Sequence, residues 1–142
     1  MSGGILRLLV VDDDEVDRQL IRRSLDRAGI GGPVTMAEDG REALDVLRGH
    51  AGQPPLERPF MILLDLNMPR MSGIEFLEEL RADESLRGSP VFVLSTSRAE
   101  QDITAAYEHM VAGYIVKETA GRDHRRLAAL LDAYRRVVEL PA

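Results

Sequence analysis

Short apolar runs of strand length alternate with longer amphipathic stretches along this chain. Four of the runs end in polar residues: LRLLVVDD, FMILLD, VFVLS and GYIVK. The pattern predicts strands near residues 6–11, 34–37, 60–64, 91–94 and 114–116, with helices between them near 15–28, 40–49, 73–82, 98–111 and 122–139. Continuous runs such as Met61-Ile62-Leu63-Leu64 fit strands covered on both faces, as in a parallel sheet. Helix faces are legible too: Ile103, Ala106, Tyr107, Met110 and Val111 share one stripe, and Ala43, Leu44 and Leu47 another. Asp39, Ser72 and Ser97 each stand three residues before a glutamate (Glu42, Glu75, Glu100), the signature of a capping box.

Five strand–helix units in this order predict an α/β fold: a (βα)5 doubly wound parallel sheet with right-handed crossovers. Such sheets bind ligands at the carboxyl ends of their strands, near the topological switch point. In the flavodoxin-like strand order 2-1-3-4-5 the first and third strands are neighbours at that crevice, and both end in acids. A strand end is rigid, so Asp12, Asp13, Asp65, Ser95 and Lys117 can be aimed at one point. Three carboxylates, a hydroxyl and an ammonium converging there make a site for a divalent cation and a phosphoryl group. One polar residue after a strand means little; four endings on separate runs carry the argument together. The stretch Gly29–Pro33 punctuates the first helix and second strand, and HAGQPPLERP (50–59) reads as a Pro-rich surface loop.

Composition narrows the function classes. The 142 residues suit one domain, 1–142, with a full-sized core. A net charge of −6 argues against generic nucleic-acid binding. There is no cysteine, so disulfides and thiolate metal sites are excluded, and a reducing cytoplasm is compatible. MSGGILRLLVV turns acidic too early for a signal peptide, and no apolar run approaches bilayer length. Lys117 is the only lysine, against 17 arginines. A lone lysine is usually compositional accident, but a compact ammonium on a flexible stem suits a mobile phosphoryl oxygen.

On the segments VVDDDEVDR, LLDLNMPRMSGIEFL, PVFVLSTS and GYIVK, the chain resembles the receiver domains of two-component response regulators over essentially its whole length. Spacings of 30 residues from Asp65 to Ser95 and 22 from Ser95 to Lys117 are similar to the family's. The resemblance implies a phosphoprotein in which Asp65 accepts a phosphoryl group from a sensor histidine kinase. It implies Mg²⁺ bound by Asp13, Asp65 and the Asn67 backbone carbonyl, with Asp12 acting mainly through water. Mg²⁺ keeps several waters, so one or two carboxylates and a phosphate suffice. Lys117 would pair with Asp65 at rest and with the phosphoryl group afterwards, and Ser95 would donate its hydroxyl hydrogen bond. Ser95 and Tyr114 would form the switch that biases the surface of the fourth helix, fifth strand and fifth helix. Asn67 and Ser97 would tune the phosphoryl lifetime. Asp14, third in the acidic row, reads better as an N-terminal helix cap.

Two departures from the family stand out. Glu118 follows Lys117 where proline is usual, so a cis peptide is not expected there and the loop is free to run differently. Ser95 stands where threonine is more frequent. The 50–59 loop is longer than in minimal receivers and is expected far from the site.

The sequence ends at Ala142 without an effector domain, so output is expected through contact with a downstream protein or a phosphotransfer protein. The last helix carries Leu127, Leu130, Leu131, Tyr134, Val137 and Val138 on one stripe, continuing to Leu140. A C-terminal helical extension, about 133–142, is expected to support a homodimer through Tyr134, Val137, Val138 and Leu140. YRRVVELP and VLSTS resemble the receivers paired with bacterial phytochrome histidine kinases, with other kinases left open. The chain is not expected to act as a turnover enzyme. Two alternatives remain: a phosphorylation-independent dimeric adaptor, and an Mg²⁺-dependent aspartyl phosphotransferase or phosphatase. DLNMP lacks the second aspartate that dehalogenase-type phosphatases use as general acid. No nucleotide-binding glycine motif occurs.

Overall fold

A computed structural model describes residues 6–142; the start of the segment read as lacking a signal peptide, residues 1–5, lies outside them. The elements alternate: β1 (Arg7–Val11), α1 (Glu15–Arg27), β2 (Val34–Ala37), α2 (Gly40–Arg48), β3 (Phe60–Leu64), α3 (Gly73–Ala82), β4 (Val91–Ser95), α4 (Glu100–Glu108), β5 (Gly113–Val116) and α5 (Arg125–Val137). All strand pairs are parallel and the order is β2-β1-β3-β4-β5. The parallel sheet is as the alternating pattern predicts, and its order is the flavodoxin-like one expected.

Strand parity divides the core. Leu9, Val11, Ile62, Leu64, Val91 and Val93 face α2, α3 and α4. Leu8, Val10, Met61, Leu63, Phe92 and Leu94 face α1 and α5. Both faces are buried, which is why the central strands lack a polar alternation. Among the described residues, no helix is long and apolar enough to cross a membrane.

Helix ends show where side-chain chemistry was decisive. Asp14 caps α1, accepting from the Val16 N–H at 2.9 Å and the Asp17 N–H at 3.3 Å. Ser72 and Glu75 form a complete capping box on α3. Asp39 caps α2 through the Glu42 N–H at 2.9 Å, but Glu42 turns to the Glu38 N–H, so only half of that box forms. The expected box at Ser97 does not form. Its hydroxyl donates to Asp102 at 2.5 Å and accepts from the Ala99 N–H at 3.1 Å, and α4 starts at Glu100 rather than 98. The helix also stops before 111, where Met110 takes a left-handed φ of 62°. α5 spans Arg125–Val137 rather than 122–139, because Gly121, Asp123 and His124 all have positive φ. The extension expected over 133–142 is thus helical only through Val137, and Val138 is already extended.

The 50–59 loop is held over α2 by the Leu56 N–H on the Val46 carbonyl at 3.1 Å. It lines a groove with Arg7, Pro33 and Thr35. That groove lies at the N-terminal ends of the strands, away from the acidic crevice.

Candidate phosphoacceptor site

Register builds the site. Val11 pairs with Leu64, so Asp12 and Asp65 leave neighbouring strands side by side. The Asp65 N–H donates to the Val11 carbonyl at 2.8 Å and the Asp12 N–H to the Ala37 carbonyl at 3.0 Å, extending the ladder one residue into the crevice. Ser95 pairs with Val116, which places Lys117 immediately beyond. Below Asp65, Gly73 lets α3 approach the β3 exit. A Cβ on Gly73 would lie 2.6 Å from the Asp65 carbonyl oxygen and 2.6 Å from Leu66 Cα.

Asp12, Asp13 and Asp65 present carboxylate oxygens within 4.8 Å of one another. Asp12 and Asp65 are buried; Asp13 is exposed and open to solvent. That spacing, with one open side, fits a hard divalent cation that keeps part of its water shell. Asp65 Oδ1 accepts from the Asn67 N–H at 3.3 Å. Burial pushes Asp65 above the ordinary carboxylate range; Lys117 and the Asn67 N–H oppose this, and the charges of Asp13 and Asp17 add to it. Asp12 is pushed up to about 7, first by burial and then by its contact with Asp17. Both shifts oppose crowding several ionised acids in one buried crevice.

Lys117 Nζ lies 2.7 Å from Asp17 Oδ2, 3.0 Å from Asp12 Oδ2 and 3.7 Å from Asp65 Oδ2. The expected Lys117–Asp65 pairing is thus present but is the longest of three. Burial works against its charge, and Asp17, Asp12 and Asp65 outweigh that, holding the ammonium above the usual lysine range. The Lys117–Glu118 peptide is trans, and the chain enters a 3-10 turn, Lys117–Ala120, closed by the Thr119 hydroxyl on the Val116 carbonyl at 2.9 Å. Glu118 points outward to Arg98 at 3.4 Å, an exposed pair of little energetic weight.

Ser95 is fully buried and accepts from the Ser97 N–H at 3.1 Å, which leaves its own hydrogen for donation. The half-buried Tyr114 donates its hydroxyl to the Ser97 carbonyl at 2.9 Å. Ser95 and Tyr114, expected to form a switch, are therefore linked through Ser97 in the β4–α4 loop. Asn67 is exposed beside Asp65.

The sequence reading missed Asp17, His124 and Arg18. Asp17 Oδ1 meets His124 Nε2 at 2.6 Å, and Arg18 binds the Asp12 carbonyl at 2.6 Å. The signal for Asp17 was available: it lies four and seven residues before Ile21 and Ser24, on the stripe of α1 that is buried. An acid on an inward stripe requires a partner.

Carboxylates and a single ammonium at the switch point of a 2-1-3-4-5 parallel sheet define a class, the phosphoryl-receiving signalling domain. The chain belongs to the response regulator receiver domain family, which matches residues 8–130. It is 36% identical over 94% of its length to the probable methanogenesis regulatory protein FilR2 of Methanothrix harundinacea, covering 89% of that protein. It is 32% identical over 95% of its length to the response regulator Rcp1 of Synechocystis, covering 92% of it. The Mn²⁺-bound structure of Rcp1 superposes with a TM-score of 0.84 over 96% of this chain and 99% of that one, at 32% identity. The phosphorylated cyanobacterial phytochrome response regulator RcpA gives 0.80 over 96% and 98%, at 33% identity. The protein is a phosphorylation-dependent signalling receiver, and its relatives are response regulators rather than turnover enzymes. Receivers of this kind pair with sensor histidine kinases.

Proposed function

We propose that Asp65 is the phosphoacceptor, and that Asp12, Asp13, Asp65 and the Asn67 carbonyl hold Mg²⁺. A carboxylate oxygen of Asp65 attacks phosphorus, the bond to the donor imidazole nitrogen or acyl oxygen breaks, and a mixed acyl phosphate remains. When bound, the cation neutralises charge on the transferring oxygens. Lys117 neutralises charge on the phosphoryl oxygens, and Ser95 donates to one of them. Phosphoryl transfer needs mainly positioning and charge neutralisation, and rigid strand ends supply the positioning. Asn67 and Ser97 flank the site and set access of water to the acyl phosphate. Tyr114, tied to the Ser97 carbonyl, follows Ser95 when the loop moves.

The observation that carries this reading is the buried Asp65 carboxylate between two other acids and Lys117. Wild type and Asp65→Asn are incubated with acetyl phosphate and Mg²⁺, and intact masses are taken. One labile phosphoryl adduct on wild type, absent from the variant and absent with EDTA, is the expected result. An adduct on Asp65→Asn would place the acceptor elsewhere.

The cognate kinase of this reading is of the phytochrome type. Support comes from similarity to RcpA and to bacteriophytochrome response regulators. The setting is cytoplasmic, output is by contact with a downstream or phosphotransfer protein, and 1–142 acts as one receiver domain. We also propose a homodimer through the outer face of α5. Val137 is 80% exposed and Leu130 40%. Tyr134 and Leu140, expected in the contact, are half-buried against the chain's own core, so the proposed surface centres on Leu130 and Val137, with Val138 beside them.

A further inference from the structure

Lys117 is closer to Asp17 than to Asp12 or to Asp65, the acid expected to pair with it. Asp17 sits in the first turn of α1, and its second oxygen is fixed by His124 Nε2 at 2.6 Å. His124 is itself rigidly placed. It is 6% exposed, its φ is 58°, and its carbonyl accepts from the Ser24 hydroxyl of α1 at 3.0 Å. Its Nδ1 is buried without a partner. The Asp17 carboxylate can only accept, so Nε2 carries the hydrogen of this bond. His124 is also the residue from which α5 starts. An unbroken polar path thus runs from the acceptor site through Lys117 and Asp17 to the seam between α1 and α5.

We propose that Asp17 and His124 are positioning residues for Lys117, and that this path is a second conformational output of the site. At rest, Asp17 draws the one ammonium to its own side of the crevice. A phosphoryl group on Asp65 carries roughly −1.5 to −2 charges where the carboxylate carried −1. Lys117 then moves toward the phosphoryl oxygens, Asp17 loses its cation, and the Asp17–His124 bond readjusts at the start of α5. This route is separate from the Ser95–Tyr114 switch, since it reaches α5 from the α1 side. It rests on Asp65 as the phosphoacceptor. A static framework would keep Asp17 and His124 unchanged when the site is loaded.

The chain offers an unusual probe, because Lys117 is its only lysine. Labelled lysine gives one side-chain signal by nuclear magnetic resonance, and labelled histidine gives three imidazoles, of which His124 is assigned with His124→Gln. The full chain is loaded with Mg²⁺ and beryllofluoride, a phosphoryl mimic, and acetyl phosphate adducts are measured in parallel. In wild type the Lys117 and His124 signals are expected to shift together on loading. In Asp17→Asn the resting Lys117 signal is displaced and His124 no longer responds. His124→Gln keeps a donor for Asp17 and preserves the resting Lys117 signal; His124→Ala displaces it. Thermal melts show whether each variant is folded, and the wild-type loading experiment stands without them. If loading moves Lys117 and leaves His124 in place, the second output is wrong while the acceptor site stands. If neither moves and no adduct forms on Asp65, the acceptor reading falls and takes this inference with it.

Discussion

Gly73 sets how closely α3 can approach the strand that carries Asp65. A Cβ there meets backbone, the Asp65 oxygen and Leu66 Cα, which cannot swing away as a flexible side chain would. Gly73→Ala is therefore expected to destabilise by about 1–3 kcal/mol, the usual cost of overpacking. It should also slow acetyl phosphate labelling, because the displaced backbone is that of Asp65 itself. Denaturant melts and intact-mass time courses measure the two effects; a variant with lower stability and an unchanged labelling rate would separate Gly73 from the geometry of the site. At this scale the site was partly legible. Asp12, Asp13, Asp65, Ser95 and Lys117 were visible because each ends a strand, and strand ends converge in this sheet order. Asp17 and His124 were not, because one lies inside a helix and the other follows a turn of positive-φ residues. Asp17 shares the buried stripe of α1 with Ile21 and Ser24, which marks it as an inward acid without naming its partner, and hydrophobic periodicity does not mark His124.

Individual elements are fastened by arginines as well as by apolar faces. Arg81, in the last turn of α3, donates to the carbonyls of His109 (2.7 Å), Arg87 (2.7 Å), Ser89 (2.8 Å) and Met110 (3.0 Å). It closes the connections before β4 and β5 at the end of the sheet opposite the acids. Arg81→Met keeps the stem but removes the charged donors, and a loss of about 3 kcal/mol is expected from groups of that kind. Labelling at Asp65 should survive, and chemical denaturation beside the mass assay tests both. At the α2 N-terminus, Arg70 holds the buried Asp39 cap through two nitrogens. Burial alone would raise Asp39, but the Glu42 N–H and the Arg70 guanidinium hold it below the usual carboxylate range. A depressed folded-state value contributes stability above the unfolded carboxylate's titration, and that contribution disappears as pH falls through the folded value. Asp39→Asn, which still caps the helix, should melt lower than wild type at neutral pH, by up to about 1 kcal/mol. The gap should close on acidification below about pH 4; a gap independent of pH would mean the charge contributes nothing. Caps at Asp14, Asp39 and Ser72 were legible in the sequence. The cap read at Ser97 does not form, because its hydroxyl accepts from the Ala99 N–H ahead of the helix and α4 starts only at Glu100.

Taken as a whole, the molecule covers both faces of its sheet, and the outer side of α5 carries exposed apolar side chains. Leu127, Ala128 and Leu131 are buried, and Tyr134 stacks edge-on against Phe92 with ring centroids 5.1 Å apart. The apolar stripe read along this helix therefore mixes two surfaces, since residues at helical spacing near a boundary divide between core and solvent. Leu130 and Val137 are seven residues apart, two turns on one outward face, with Val138 following. A two-fold axis across that face would bring each pair onto its copy, and a self-complementary patch of this kind closes as a dimer without propagating. Val137→Glu places a charge at the most exposed point of the patch and touches nothing in the core. Sedimentation of wild type is expected to give a dimer that the variant converts to monomer, with labelling at Asp65 unchanged in both. Repeating it with Asp65→Asn and with beryllofluoride tests whether phosphorylation governs assembly. Equal dimer in every state would favour an adaptor whose assembly ignores the acceptor site. A dimer strengthened by beryllofluoride in wild type but not in Asp65→Asn would tie assembly to the phosphoryl group. Wild type that remains monomeric throughout would free the outer face of α5 for a different protein.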